Sequence, residues 1–273
     1  LFAQADFSCV NLDCGHGDEA LSAARADCGT VSTFSRRDPA AQVYGHDVRK
    51  VGGDILFQVD AARLGGEYRL TMPGLFNVDN ALAAIAVCQG LGIPQEAVRE
   101  GLAKARVPGR MEVYSSRNGD VTAIVDYAHN RMSFETLFRS AVEEYPGRRI
   151  VAVFGCPGKK ALDRRRDLGE VAGAYSGLVV LTEEDSGEED TVSICREIAG
   201  HVEAQGCACV IQPNRGEAIR EAVLGCDRPS VILITGKGAE TRQKRGIEYI
   251  DTPSDVEYAQ TFLREYDARQ GRT

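Results

Sequence analysis

Apolar positions in this chain fall into two kinds of run, some short and near-continuous, others spaced by three and four residues, and their alternation predicts mixed α/β structure. Residues 7–12 read as a strand and residues 18–27 as a helix, and β-like segments follow around Val31, Val43, Ile55 and Tyr68, ending at Met72, Pro73 and Gly74. From Asn77 the period changes. Val78, Ala81, Leu82, Ile85 and Ala86 make one helical stripe, with Asn77 as its N-cap and Gly90 or Gly92 as its stop. A second helix runs from Pro94, its first-turn proline, to about Lys104. Val107, Pro108 and Gly109 then break the pattern, which sets a boundary between a domain of residues 1–108 and a domain of residues 109–273.

The second domain opens as a hairpin, residues 111–115 and 121–125, and the intervening Asn118 and Gly119 point to a type I′ turn. Strands at 150–154, 178–181, 207–211 and 231–235 then alternate with helices at 133–144, 162–174, 192–204 and 216–224. Near-continuous apolar strands between amphipathic helices predict a mainly parallel sheet covered on both faces. Ser254 with Glu257 predicts a capping box for a last helix. Ligands gather at the carboxyl ends of such strands, here Asp126, Gly155, Thr182 and Gly236.

Composition narrows the class. The 273 residues are 43% apolar and 26% charged, enough for two small cores, and a net charge of -8 excludes a general attraction to nucleic acid or anionic lipid. No apolar run approaches the roughly 20 residues of a membrane span, and no signal segment is present, so a cytoplasmic protein is expected. Nine scattered cysteines without a CxxC pair and four distant histidines (16, 46, 129, 201) predict reduced core cysteines and no metal site within the chain. The abrupt start, without methionine, reads as a cut chain.

Generic motifs are weak. Gly15, His16, Gly17, Asp18, Glu19 and Ala20 form a GxGxxA run, which a strand-to-helix turn needing positive φ explains without any ligand. Lys237, between Gly236 and Gly238, lacks the rest of a P-loop. Three stretches carry more. Asn77 and Asn80 stand at and just inside a helix start, where backbone N–H groups favour an anion, although Asn77 can equally be a plain cap. Arg110 lies at the domain joint, where it can reach a phosphate or form a surface salt bridge. Asp126, followed by Tyr127, Ala128, His129 and Asn130, ends a strand with a carboxylate that can accept two ribose hydroxyls or cap the next helix.

These stretches, with Phe154, Gly155, Cys156, Pro157, Gly158 and later Gly236, Lys237, Gly238, Ala239 and Glu240, resemble the Mur ligase family over residues 1–258, in its branch of UDP-N-acetylmuramoyl-tripeptide synthetases. The resemblance implies the tail of a P-loop-type ATPase domain followed by a Rossmann-like doubly wound domain that binds an amino acid. The P-loop and the magnesium ligands then fall upstream of Leu1, and this stretch alone is not expected to catalyse. ATP and Mg2+ are the implied cofactors. The implied roles put Asn77 and Asn80 with the nucleotide phosphates, Arg110 on the γ-phosphate and Asp126 on the ribose, with Tyr127, His129 and Asn130 lining the nucleotide pocket. Arg165 stands where the family's arginine meets the amino-acid carboxylate, and Gly236 and Glu240 where the ammonium group is met.

The loop after Leu181 bears on the substrate. Diaminopimelate enzymes carry Asp-Asn-Pro-Arg there, and the matching residues here are Glu184, Asp185, Ser186 and Gly187. Loss of the arginine with retention of acids suits a bare ammonium, as in L-lysine or ornithine. The plainer reading is a solvated acidic turn, above all for Glu188, Glu189 and Asp190. Ala239 in place of a histidine and Asn214 in place of an aspartate before Arg215 depart from the family pattern. The expected protein is a monomeric peptidoglycan ligase joining a diamino acid to a UDP-N-acetylmuramoyl-dipeptide. A diaminopimelate-adding ligase, a folylpolyglutamate synthase-like ligase and a non-catalytic amino-acid-binding module are the alternatives.

Overall fold

Strand β4 (Asp54–Ala61) buries every second residue, Ile55, Phe57 and Val59, and that alternation places the core of the first of the two units into which the chain divides, Leu1–Arg106 and Val107–Thr273. The structure, a computed structural model, describes residues 1–271. In the first unit β1 (Phe7–Asn11), β2 (Thr30–Ser35), β3 (Val43–Val51), β4 and β5 (Gly66–Leu70) lie side by side in chain order. The first three are parallel, and β4 and β5 return antiparallel. Helix α1 (Gly17–Asp27) follows β1, and α2 (Asn77–Gly90) and α3 (Gln95–Lys104) follow β5. Val78, Leu82 and Ile85, the predicted stripe of α2, pack in one cluster with Phe57 and Tyr68. Burial of each such large apolar side chain contributes roughly 1.5–3 kcal/mol.

The second unit is built on β6 (Glu112–Ser115), β7 (Val121–Asp126), β8 (Arg149–Phe154), β9 (Leu178–Leu181), β10 (Cys209–Ile211) and β11 (Ser230–Thr235), in the spatial order β10-β9-β8-β11-β7-β6. All neighbours are parallel except β6. Between the strands run α4 (Arg131–Glu144), α5 (Asp163–Tyr175), α6 (Thr191–Glu203) and α7 (Arg215–Leu224), and α8 (Asp255–Gln270) closes the chain. Because strand side chains alternate, Val151, Val153, Ile232 and Ile234 meet α7 and α8, whereas Phe154 meets Phe134 of α4 edge-on at 5.2 Å. The sheet is therefore covered on both faces, the doubly wound form expected. A hairpin of β12 (Arg242–Arg245) and β13 (Glu248–Asp251) stands apart from it. β11 enters between β7 and β8, so the winding reverses there and the loops after β7, β8, β9 and β11 share one edge.

Several local expectations fail for identifiable reasons. Asn77 is not the cap of α2. Phe76 occupies that position in helical conformation, and the Asn77 side chain turns back to donate to the Pro73 carbonyl at 2.6 Å. The turn between β6 and β7 is not type I′, because only Gly119 takes positive φ (74°). Ser116 closes a longer loop instead, its hydroxyl accepting from Val121 N at 3.0 Å. Neither Gly15 nor Gly17 has positive φ. Gly17 is required by close approach, since a Cβ there would lie 2.9 Å from the Leu12 carbonyl oxygen. The capping box of Ser254 and Glu257 forms as the sequence predicts.

Candidate functional site

In the first unit the two expected carboxamides are joined by one hydrogen bond. Asn80 Nδ2 donates to Asn77 Oδ1 at 3.0 Å, and Asn77 is 5% exposed. Asn77 passes its own amide N–H on to the Pro73 carbonyl, so both side chains are tied to the first turn of α2. Beside them Asp79 is buried enough that its carboxyl pKa is raised, with Arg36 opposing that rise from 3.8 Å.

The other expected residues belong to the second unit. β7 ends at Asp126, whose oxygens each accept one backbone N–H, from Met111 at 2.9 Å and Ala128 at 2.7 Å. Burial raises its pKa, and those two bonds oppose the rise. An ionised carboxylate offers about four acceptor sites, so each oxygen keeps capacity for one more donor. Asp126 does not cap α4. Asn130 does, accepting from Ser133 N at 3.0 Å in a capping box. His129 Nδ1 lies 2.8 Å from the Tyr127 carbonyl, which only accepts, so Nδ1–H donates to it and Nε2 is left without a partner among the described residues.

Arg110 rests its guanidinium over the Tyr127 ring at 4.9 Å and makes no ion pair or side-chain hydrogen bond among the described residues. The predicted alternative of a surface salt bridge is therefore absent from the described contacts. The loop after β11 presses on the segment leading to Arg110: a Cβ at Gly109 (φ 72°) would meet Ala239 N at 2.4 Å. Tyr127 donates its hydroxyl to Glu240 Oε1 at 2.5 Å. Glu240 Oε2 is 2.5 Å from Lys237 Nζ, and the same ammonium is 3.0 Å from Asp185 Oδ1. Thus Arg110, Tyr127, Glu240, Lys237 and Asp185 form one connected chain of contacts along the carboxyl edge of the sheet. Sequence reasoning set Lys237 aside as a failed P-loop lysine. The signal available was a lysine flanked by glycines at a strand end, where both glycines now prove to have positive φ (102° and 55°).

Acids in the loop after β9 are already engaged. Glu183 receives a two-pronged bond from Arg245 at 2.6 and 2.9 Å. Asp185 (φ 48°) accepts from Lys244 N at 2.8 Å as well as from Lys237. Glu184 lies beneath Gly236, where a Cβ would come within 2.1 Å of its Oε2, so only glycine fits. Burial lifts its pKa to about 7, with Arg215 and Lys237 pulling the other way. The outer three acids are not simply solvated, as the plainer reading held. Glu188 pairs with Lys159, Glu189 with Arg165, and Asp190 caps α6. Arg165, 4% exposed, holds Glu189 and Glu197 at 2.7 and 2.6 Å, and its Nε is buried without a partner. Arg215, which the sequence left without a role, is buried against Asp255 at 2.7 Å and also donates to the Glu183 and Thr235 carbonyls. Asn214, the departure before it, works as the cap of α7.

A cavity of about 170 Å³ opens between the loops after β8 and β9 and the β12–β13 hairpin, lined in part by Gly158, Lys160, Asp185, Gly187, Lys244 and Tyr249. Among the described residues no three His, Cys, Asp or Glu side chains gather as a metal site. All nine cysteines are free, with Cys14 exposed rather than in the core.

Residues 1–88 match the Mur ligase middle domain, and residues 109–238 match the Mur ligase glutamate ligase domain. The UDP-N-acetylmuramoyl-L-alanyl-D-glutamate–L-lysine ligase of Enterococcus faecalis is 37% identical over 209 residues, 76% of this chain and 40% of that protein. The corresponding 2,6-diaminopimelate ligase of Caldanaerobacter subterraneus is 33% identical over 243 residues, 89% of this chain and 49% of that protein. The chain thus spans about two-fifths to one-half the length of these relatives. The folylpolyglutamate synthase of Mycobacterium tuberculosis superposes with a TM-score of 0.66 at 23% identity, over 84% of this chain and 52% of that one, a likeness of fold. With both of its units matched in order, this chain belongs to the Mur ligase family.

Proposed function

We propose that the full-length protein is an ATP-dependent amide ligase of the cytoplasm that adds L-lysine to UDP-N-acetylmuramoyl-L-alanyl-D-glutamate. The observation that carries the choice of lysine is Gly187, which stands where diaminopimelate enzymes of the family have their arginine; relatives named as L-lysine ligases agree with it. The acids of this loop are occupied by Lys237, Lys244 and Arg245, so selection rests on the missing guanidinium more than on attraction to Glu184 or Asp185. Lysine-type specificity is here the lack of a reader for a second carboxylate.

ATP would supply the phosphoryl group that turns the precursor's terminal carboxylate into an acyl phosphate, with magnesium screening the phosphates. The residues present fit such a ligand. Arg110 offers a guanidinium in no ion pair among the described residues, suited to phosphate oxygens. Asp126 retains one acceptor position on each oxygen for ribose hydroxyls, and His129 Nε2 is open beside it. Asn77 and Asn80 sit at the start of a helix, whose N–H groups favour anions. For the amino acid, Glu240 presents a half-exposed carboxylate to its ammonium group, whereas Arg165, the residue expected on its carboxylate, is buried and held by Glu189 and Glu197. The amine then attacks the acyl carbon, phosphate leaves, and one proton is released as the amide forms. No helix among the described residues is long and apolar enough to cross a membrane.

The test is ATP-dependent joining of radiolabelled L-lysine or meso-diaminopimelate to UDP-N-acetylmuramoyl-dipeptide by the full-length protein. Lysine incorporation is the expected result. Exclusive use of meso-diaminopimelate overturns the lysine assignment, and use of neither overturns the ligase reading. Glutamate addition to a folate would move the protein to the folylpolyglutamate synthase branch.

A further inference from the structure

Glu240 has its two oxygens held by side-chain donors from two different segments. Tyr127, from the end of β7, donates to Oε1, and Lys237, three residues before Glu240, reaches Oε2. Lys237 is 4% exposed, whereas the Glu240 side chain is 41% exposed. The carboxylate is thus gripped by a buried ammonium and a half-buried phenol while one side stays open to solvent. A free glutamate side chain spends much of its time in other rotamers, and fixing it at the moment of binding weakens affinity; holding it beforehand removes that cost. Two of its four acceptor positions are taken, which leaves two for an incoming N–H group. The phenol pKa, pushed up to about 12 chiefly by the bond to Glu240, keeps Tyr127 a donor throughout the neutral range.

We infer that Tyr127 and Lys237 are positioning residues for amine recognition, holding the Glu240 carboxylate in the orientation that receives the ammonium group of the incoming amino acid. Tyr127 therefore serves the amino-acid side of the reaction through its hydroxyl while its ring face carries Arg110. The inference rests on the reading of the protein as an amino-acid ligase.

The decisive variant is Tyr127→Phe in the full-length enzyme, which deletes one oxygen and keeps the ring under Arg110. The KM for the amino acid is expected to rise about tenfold, the scale of one hydrogen bond to a charged group, with kcat and the KM for ATP within about twofold of wild type. The same change placed on Glu240→Ala is expected to add nothing further, because the group it positions is gone. An unchanged amino-acid KM in Tyr127→Phe, a rise in the ATP KM instead, or full additivity with Glu240→Ala overturns the positioning role while leaving the ligase reading in place. A wild-type enzyme that joins no amino acid overturns both.

Discussion

The loops after β7 and β9 lie on the same edge of one sheet and are both rich in acids and polar groups, yet they dispose of them differently. After β7, Asp126 gives one lone pair per oxygen to the backbone and keeps the rest, His129 keeps Nε2, and neighbouring Arg110 rests on an aromatic face with no ion pair among the described residues. After β9, Glu183 is ion-paired by Arg245, Asp185 takes Lys237 and a backbone N–H on one oxygen, and Glu184 is sealed under Gly236. The first loop leaves its acid in no ion pair among the described residues; the second commits Glu183 and Asp185 to the fold's own cations. A count of acids in a loop therefore says little about what the loop can bind. What decides is which cations the fold brings to those acids first.

Two arginines put that contrast to its hardest test. Arg215→Ala should cost the chain about 3–5 kcal/mol, because it strands the buried Asp255 carboxylate and two carbonyls that support the loop after β9. Chemical denaturation reads that loss directly. Arg110→Ala should leave the denaturation midpoint unchanged and lower turnover of the full-length enzyme about 10²- to 10³-fold, the scale of one lost donor to developing charge. Similar destabilisation by both variants would erase the distinction between a reserved edge and a spent one.

Glu184 sharpens the contrast through pH. Arg215 and Lys237 lie near it, but one is committed to Asp255 and the other to Asp185 and Glu240, so burial wins and its pKa rises from 4.5 to about 7. A carboxyl whose folded pKa exceeds its unfolded one costs nothing below pH 4.5, where both states hold the proton. The cost grows as the pH climbs from 4.5 to about 7 and is complete above that, reaching about 3 kcal/mol at roughly 1.4 kcal/mol per pH unit. Glu184→Gln should remove this dependence, so its stability relative to wild type should increase across that window and level off beyond it. A difference that stays constant from pH 4.5 to 8 would show that Glu184 is ionised at little cost, as an available ligand would be.

Periodicity carried the fold because the core follows it: the α2 stripe and the buried strands of the second unit lie where apolar spacing puts them. It failed where side chains compete for the backbone. Asn77 reads as a cap by type, but its amide finds the Pro73 carbonyl and Asn80 first, and Asn118 and Gly119 read as a two-residue turn until Ser116 captures Val121. Strand ends marked the edge correctly as a place where polar groups gather. The partners of those groups come from distant segments, Lys237 lying 52 positions from Asp185 and Arg245 lying 62 from Glu183. Nothing local in the sequence around Glu184 announces that a glycine at 236 will cover it.

Asn130 marks where the reserve of the first loop ends, and it gives the smallest expected effect. Its Oδ1 is spent on Ser133 N at the start of α4, but its Nδ2 donates to nothing among the described residues. Asn130→Ala removes the cap and should cost about 1 kcal/mol. Asn130→Asp keeps an acceptor at the cap and adds negative charge at a helix start, so it should hold wild-type stability while deleting the amide donor. If Asn130 also serves the nucleotide, the KM for ATP rises in both variants although only Ala melts earlier. If the ATP KM stays at the wild-type value in Asp, Asn130 is spent entirely on α4, and the reserve of this loop reduces to Asp126, His129 and Arg110.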